Sequence, residues 1–164
     1  NDCVAIGDRA GDGNTGNQNT FVGGRAGSSG GNGGGELNVG IGFFSLYATG
    51  TADADYNTAV GAYSMENNTG GHSNVAVGFR AMEENTTGTS NTAVGRDALE
   101  GNTTGAGNVA VGRDVLTNNT TGAYNTAVGQ NALLTNTTGG YNVAVGKDAL
   151  YTSDEDSNLS LIHI

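Results

Sequence analysis

The chain has 164 residues, 30 glycines, no proline or tryptophan, one cysteine and a net charge of −10. Glycine at this level without proline excludes collagen, and the acidic balance argues against nucleic acid or an anionic membrane as a partner. No stretch is apolar enough to insert into a bilayer, and Cys3 alone can make no intrachain disulfide.

The chain is organised by a repeat. A unit opens at Asn57, Asn74, Asn91, Asn108, Asn125 and Asn142, with a constant period of 17. Weaker copies open at Cys3, Asn19 and Asn38 with lengths of 16, 19 and 19, giving nine units. Such a period is the mark of a solenoid, in which each unit buries its apolar face against its neighbours. The chain divides into irregular N-terminal rungs (1–56), regular repeats (57–153), the start of a next unit or a cap (154–158) and a tail (159–164). The tail reads LSLIHI, like the translated end of a transposon-based sequencing adapter, and is expected to be a read-through artefact, with Asn158 opening a tenth unit. The chain begins without Met and reads as a fragment.

With the opening residue as position one, position four is Ile or Val throughout (Ile6 to Val145), and position two alternates Val and Thr (Val4, Thr20 and so on to Val143). β-Branched residues favour strands, and residues two apart share a face, so these columns are expected to form the buried face. The alternation leaves two readings open: duplication of paired units, or a structural turn of two units. The first is preferred, because a single unit is already long enough for two short strands and two turns.

Position three, alanine at Ala59, Ala76, Ala93, Ala110, Ala127 and Ala144, then points outward. It reads either as a plain exposed column or, by preference, as a subunit interface that lets backbones approach. Gly7 to Gly146 at position five are expected to end each strand. A second apolar pair follows (Ala81-Met82, Ala98-Leu99, Val115-Leu116, Ala132-Leu133, Ala149-Leu150) and is read as a short second strand that completes the core or the interface. The first two units carry Gly11 and Gly27 there and are expected to be under-packed. Return loops of the type Asn102-Thr103-Thr104-Gly105 close the units. Nine rungs at a strand spacing near 4.8 Å make a rod roughly 40 Å long. So thin a core suggests burial against sister chains.

Val4-Ala5-Ile6-Gly7 and Asn142–Gly146, with a small residue three positions later and a glycine-containing turn, resemble the head repeats of YadA-like trimeric autotransporter adhesins. Tyr124-Asn125-Thr126-Ala127-Val128-Gly129 after Asn119-Thr120-Thr121-Gly122 is also similar to repeats of bacteriophage tail-fibre proteins. The resemblance spans residues 3–150, although the period is longer than is usual in the adhesin heads. It implies an all-β, left-handed parallel β-roll (β-solenoid) in a homotrimer. It further implies a place in an extracellular fibre, on a virion or a bacterial surface, that attaches to a host receptor, a glycan or extracellular matrix. Receptor contact is then expected at the exposed turns, through Thr104, Thr121, Tyr124, Thr138 and Tyr141. The trimer interface is expected at Ala76, Ala93, Ala110, Ala127 and Ala144.

Other motifs are weaker. Gly11–Gly16 satisfies a dinucleotide-binding pattern without the helix it requires, and Gly140–Lys147 has one residue too many for a phosphate loop. Gly30–Gly35 resembles a calcium-binding nonapeptide without its Asp and reads as a flexible loop. Asp154-Glu155-Asp156 reads as a solvated acidic turn rather than a cation site. His72 and His163 assemble no catalytic or zinc set, so neither an enzyme nor a cofactor is expected. A sugar depolymerase would need a carboxylate pair in a groove, whereas the acids here recur at turns. Arg96-Asp97, Arg113-Asp114 and Lys147-Asp148 are expected to stack as paired charge columns. Sequons at Asn85, Asn102, Asn119 and Asn136 are explained by turn chemistry. The alternative function is a monomeric ice-binding β-solenoid, with Thr86-Thr87, Thr103-Thr104, Thr120-Thr121 and Thr137-Thr138 in ranks.

Overall fold

The computed structural model describes residues 2–28, 34–48 and 54–161. Ten three-residue strands form one parallel sheet in sequence order: β1 (Val4–Ile6), β2 (Thr20–Val22), β3 (Val39–Ile41), β4 (Thr58–Val60), β5 (Val75–Val77), β6 (Thr92–Val94), β7 (Val109–Val111), β8 (Thr126–Val128), β9 (Val143–Val145) and β10 (Leu159–Leu161). Each strand pairs in register with the next, as Ala76 does with Ala93 and Ala93 with Ala110. The protein is an all-β solenoid of about nine turns, and one unit is one turn. Asn158 opens the tenth, its N–H reaching Asn142 Oδ1 at 2.8 Å, and Leu159–Leu161 of the tail forms β10.

The strand parity is the reverse of the expected one. Position three faces the interior: Ala59, Ala76, Ala93, Ala110, Ala127 and Ala144 are all 0 % exposed. Positions two and four face outward, with Val75, Val94, Val109, Val111, Val128, Val143 and Val145 each between 36 and 39 % exposed. The alanines expected at a subunit interface, Ala76, Ala93, Ala110, Ala127 and Ala144, therefore cannot form one. The reason is width. So short a turn closes on a narrow interior already occupied by Met82, Leu99, Leu116 and Leu133 from the opposite wall, all fully buried. Only a methyl group fits opposite them, so the β-branched side chains are left outside.

No second strand forms among the described residues. Positions seven and nine are left-handed, with φ of 55° at Asp97 and 53° at Leu99, 56° at Asp114 and 50° at Leu116. The turns are still joined there: Asp97 N–H donates to Phe79 O at 3.0 Å and Leu99 N–H to Val115 O at 2.9 Å. β-Branched residues are strongly disfavoured at positive φ. Position nine is accordingly Leu, Met or Gly in every unit, while Val115 sits at position eight, where φ is not positive. Gly95 ends its strand at φ 139°, and a Cβ there would lie 2.1 Å from Gly112 O.

The first turn leaves its whole strand, Val4–Ile6, exposed, as its glycine suggested, but the second is not under-packed. Phe21 takes position three of the second unit and is 1 % exposed. A Cβ on Gly27 would lie 2.4 Å from its ring, and Gly11 and Gly40 border the same ring. One large side chain thus occupies the space that three glycines vacate.

The rest of the interior is polar. At position one, each asparagine accepts the next one's backbone N–H on Oδ1 (Asn91 to Asn74, Asn108 to Asn91 and Asn125 to Asn108, each 2.9 Å). Its Nδ2 donates to the position-fifteen carbonyl, as Asn91 does to Gly105 O at 2.8 Å. At position twelve a second ladder runs amide to amide, Asn102 Nδ2 to Asn85 Oδ1 and Asn119 Nδ2 to Asn102 Oδ1, both 2.8 Å. Asn102 Nδ2 also reaches Gly105 O at 3.1 Å, so one carbonyl serves both ladders. A Cβ on Gly105 would lie 2.4 Å from Asn102 Oδ1. Asn85, Asn102, Asn119 and Asn136 are 0 % exposed, so these sequons present no acceptor nitrogen at the surface. Asn136 Oδ1 has no partner, because the next turn carries Ser153 in place of asparagine.

Two substitutions separate wall from ladder. Ala93→Arg places a charge in a filled interior and is expected to cost about 3 kcal/mol or more, abolishing the fold as read by circular dichroism. Asn102→Ala strands a buried amide acceptor and frees a shared carbonyl. It is expected to cost about 2–4 kcal/mol in urea denaturation, with the sheet signal retained below the transition.

Candidate functional site

Three surfaces carry the chemistry. The first is the strand face, two apolar columns at positions two and four that run the length of the sheet. The Thr members of position two are half-buried and the Val members exposed.

The second surface is made by positions fourteen, sixteen and seventeen, which the return loop brings to one side. Each expected receptor-contact residue, Thr104, Thr121, Tyr124, Thr138 and Tyr141, is exposed there. Tyr124 and Tyr141 stack with ring centroids 5.2 Å apart and planes at 20°. A Cβ on Gly107 would lie 2.7 Å from the Tyr124 ring, so that ring rests on the preceding turn's glycine. Of the paired threonines only the second faces water freely. Thr86, Thr103 and Thr120 turn their hydroxyls onto the next turn's carbonyl, at 2.9 to 3.0 Å. The double threonine rank expected for ice binding is thereby reduced to one.

On the same side an open cleft of about 710 Å3 is lined by Asp55, Tyr56, Gly70, His72, Ser73, Thr87 and Thr89. His72 Nδ1 lies 3.3 Å from Ser73 Oγ. Asp55 Oδ1 accepts the Glu36 N–H at 2.7 Å. The cleft is absent from the sequence reading. Its visible signal is the position-seventeen column, where Tyr56 is followed by Ser73, Ser90 and Gly107 before tyrosine returns.

The third surface, also missed, is an aromatic cluster at positions six, seven and ten. Phe43, Phe44, Tyr47, Tyr63 and Phe79 form a continuous set of ring contacts at 4.5 to 5.9 Å. Arg25 lies over Phe44 and Arg80 over Phe79, each at 5.2 Å. Later turns replace these rings with charge. Arg96 reaches Asp114 on the next turn at 3.0 Å, and Arg113 pairs with its neighbour Asp114 at 3.2 Å. Of the paired charge columns expected at these positions, one step stacks, Arg96 on Asp114, while Lys147 and Asp148, 3.7 Å apart, lie beyond the uncharged Gln130-Asn131 turn. Glu66, Glu83 and Glu100 stack beside Arg80; burial, above all, raises their carboxyl pKa values.

The other motifs resolve into turn contacts. A Cβ on Gly16 would lie 1.9 Å from Gly35 O, so the dinucleotide-like glycines are closed by the next turn rather than opened around a phosphate. Gly30 to Gly33 and His163 lie outside the described residues. Among the described residues no group of three or more His, Cys, Asp or Glu side chains converges to hold a metal ion.

Asp154 is more than a solvated acid. In each regular turn the N–H groups of positions thirteen to fifteen converge on one carbonyl of the next turn, as those of Thr103, Thr104 and Gly105 do on Thr120 O at 3.0 to 3.3 Å. At the last of these, Asp154 Oδ1 stands in for the carbonyl, accepting from Thr137, Thr138 and Gly139 at 2.7, 2.8 and 3.3 Å. Oδ2 takes the Thr137 hydroxyl at 2.6 Å. That hydroxyl first, and the N–H groups after it, hold the carboxyl pKa far below the ordinary range. A depressed carboxyl pKa supports the fold above its unfolded value near 4 and ceases to do so as pH falls below it. Amide exchange at Thr137, Thr138 and Gly139 is therefore expected to be protected at pH 7 and to lose protection progressively under strong acid. Asp154→Asn is expected to lose much of that protection already at pH 7.

No family model, curated protein or solved structure matches the chain.

Proposed function

We propose that this chain is a structural and adhesive segment of an extracellular surface fibre, assembled from three copies that meet through their strand faces. The observation that carries the reading is the apolar face left by the reversed parity: Val75, Val94, Val109, Val111, Val128, Val143 and Val145 stand exposed in two adjacent in-register columns. Water-facing apolar strips of this length mark contact surfaces. An in-register sheet suits a partner with the same rung spacing, which a second copy has. Phe43 and Phe79, at 48 and 42 % exposure, follow the strand corner and extend the apolar character beyond the strip. The resemblance to adhesin heads and phage tail-fibre repeats supplies the number three and the setting, a virion or bacterial surface, without separating the two. The turns bearing Thr104, Thr121, Tyr124, Thr138 and Tyr141 then face outward, toward a host receptor, a glycan or matrix. No catalytic role is assigned.

The alternative, an ice-binding monomer, moves from the turns to the strand face, where Thr20, Thr58, Thr92 and Thr126 alternate with valine. Both readings use this face, and mass in solution separates them. Light scattering is expected to give three times 16.3 kDa. The double variant Val94→Lys, Val111→Lys is expected to give the single-chain mass with the sheet signal retained, because neither side chain enters the interior. A folded monomer from the parent chain, with thermal hysteresis, overturns the fibre reading in favour of ice binding.

A further inference from the structure

We infer that the cleft at Tyr56 and His72 is a binding site for an uncharged oligosaccharide, a deepening that rests on the adhesive reading above. Sugars present an apolar C–H face and a rim of hydroxyls, so a site for them pairs an exposed ring with fixed polar groups. Tyr56 is 61 % exposed at one end of the cleft. Thr87 and Thr89 line it, and their hydroxyls make no hydrogen bond within the chain among the described residues. His72 lies between them and the ring. The backbone beneath is rigid, because Ser73, Ser90 and Gly107 N–H donate to Asp55, His72 and Thr89 carbonyls at 2.9, 3.1 and 3.0 Å.

The lining also argues against other ligands. It contains no Lys or Arg, and Asp55 contributes a negative charge within a chain of net charge −10, so phosphates, nucleotides and acidic sugars are disfavoured. The N–H groups of Tyr56, Gly70, Ser73 and Thr87 are bonded to neighbouring turns, which leaves no continuous strand edge for a peptide to extend. An oligomer is favoured over a single sugar because the lining is drawn from three successive turns, Asp55 and Tyr56, then Gly70, His72 and Ser73, then Thr87 and Thr89.

The test is titration of the full chain with cellohexaose, maltohexaose and mannohexaose, followed by calorimetry and by tyrosine emission, which no tryptophan obscures. At least one is expected to bind in the millimolar range, as suits an open site. Tyr56→Ala is expected to weaken binding about tenfold or more, and Thr89→Val, which removes a hydroxyl and keeps the shape, to weaken it measurably. Tyr151→Ala, away from the cleft lining, is expected to leave binding unchanged. Failure of all three sugars to bind, or binding indifferent to both Tyr56→Ala and Thr89→Val, overturns the site. Mass measured on the same samples keeps the two proposals apart. A trimer that binds no sugar leaves the fibre reading standing without this site, and a sugar-binding monomer keeps the site and removes the assembly.

Discussion

The structure depends on stacked asparagine amides. A single short turn encloses backbone carbonyls and N–H groups that the neighbouring turns cannot all satisfy, and each one left unpaired in the interior costs about 1–3 kcal/mol. Asparagine carries a donor and an acceptor on one short planar group. Repeated in register, it accepts from one turn and donates within another, and the pattern continues without a break. Two such ladders share the Gly105 carbonyl and its equivalents. In the regular turns this fixes asparagine at positions one and twelve and excludes a side chain at position fifteen.

The ladders also determine where apolar groups go. With two of the inward positions given to amides, the remaining interior is a narrow slot for one Leu or Met and two small residues per turn. That explains why Phe21 requires glycine at 11, 27 and 40, and why alanine rather than valine faces inward on the strand. The displaced β-branched side chains become the outer surface. The fold's apolar strip is thus a consequence of its polar interior, and the proposed self-association follows from the same constraint.

Regularity in the interior leaves the surface free to vary. Position six carries Phe43 and Phe79 in early turns and Arg96, Arg113 and Lys147 later; position seventeen carries tyrosine at both ends of a run of small residues. Neither change disturbs a ladder. Asp154 shows the same economy at the C-terminal turns, where a carboxylate occupies the place of a carbonyl within the amide cradle.

Much of this was legible in the chain itself. The fixed spacing from Asn57 to Asn142 determined a solenoid and its register, because identical units can bury themselves only by stacking. The glycine corners and the exposure of Tyr124 and Tyr141 were equally readable. The direction of each side chain was not. A strand's parity assigns residues to two faces without saying which is inside, and β-branched preference favoured the wrong one. That choice required the width of the closed turn, to which the Leu99 column, the asparagine amides and the Ala93 column all contribute. The apolar pair at Ala98-Leu99 suggested a second strand for a related reason: a short apolar run does not reveal its backbone. The absence of β-branched residues at position nine was a readable sign of left-handed φ, yet it gains meaning only beside the hydrogen bonds that such a backbone makes. The cleft at Tyr56 likewise exists only in three dimensions, since Asp55, His72 and Thr89 come from successive turns and meet because the rung spacing is shorter than a side chain's reach.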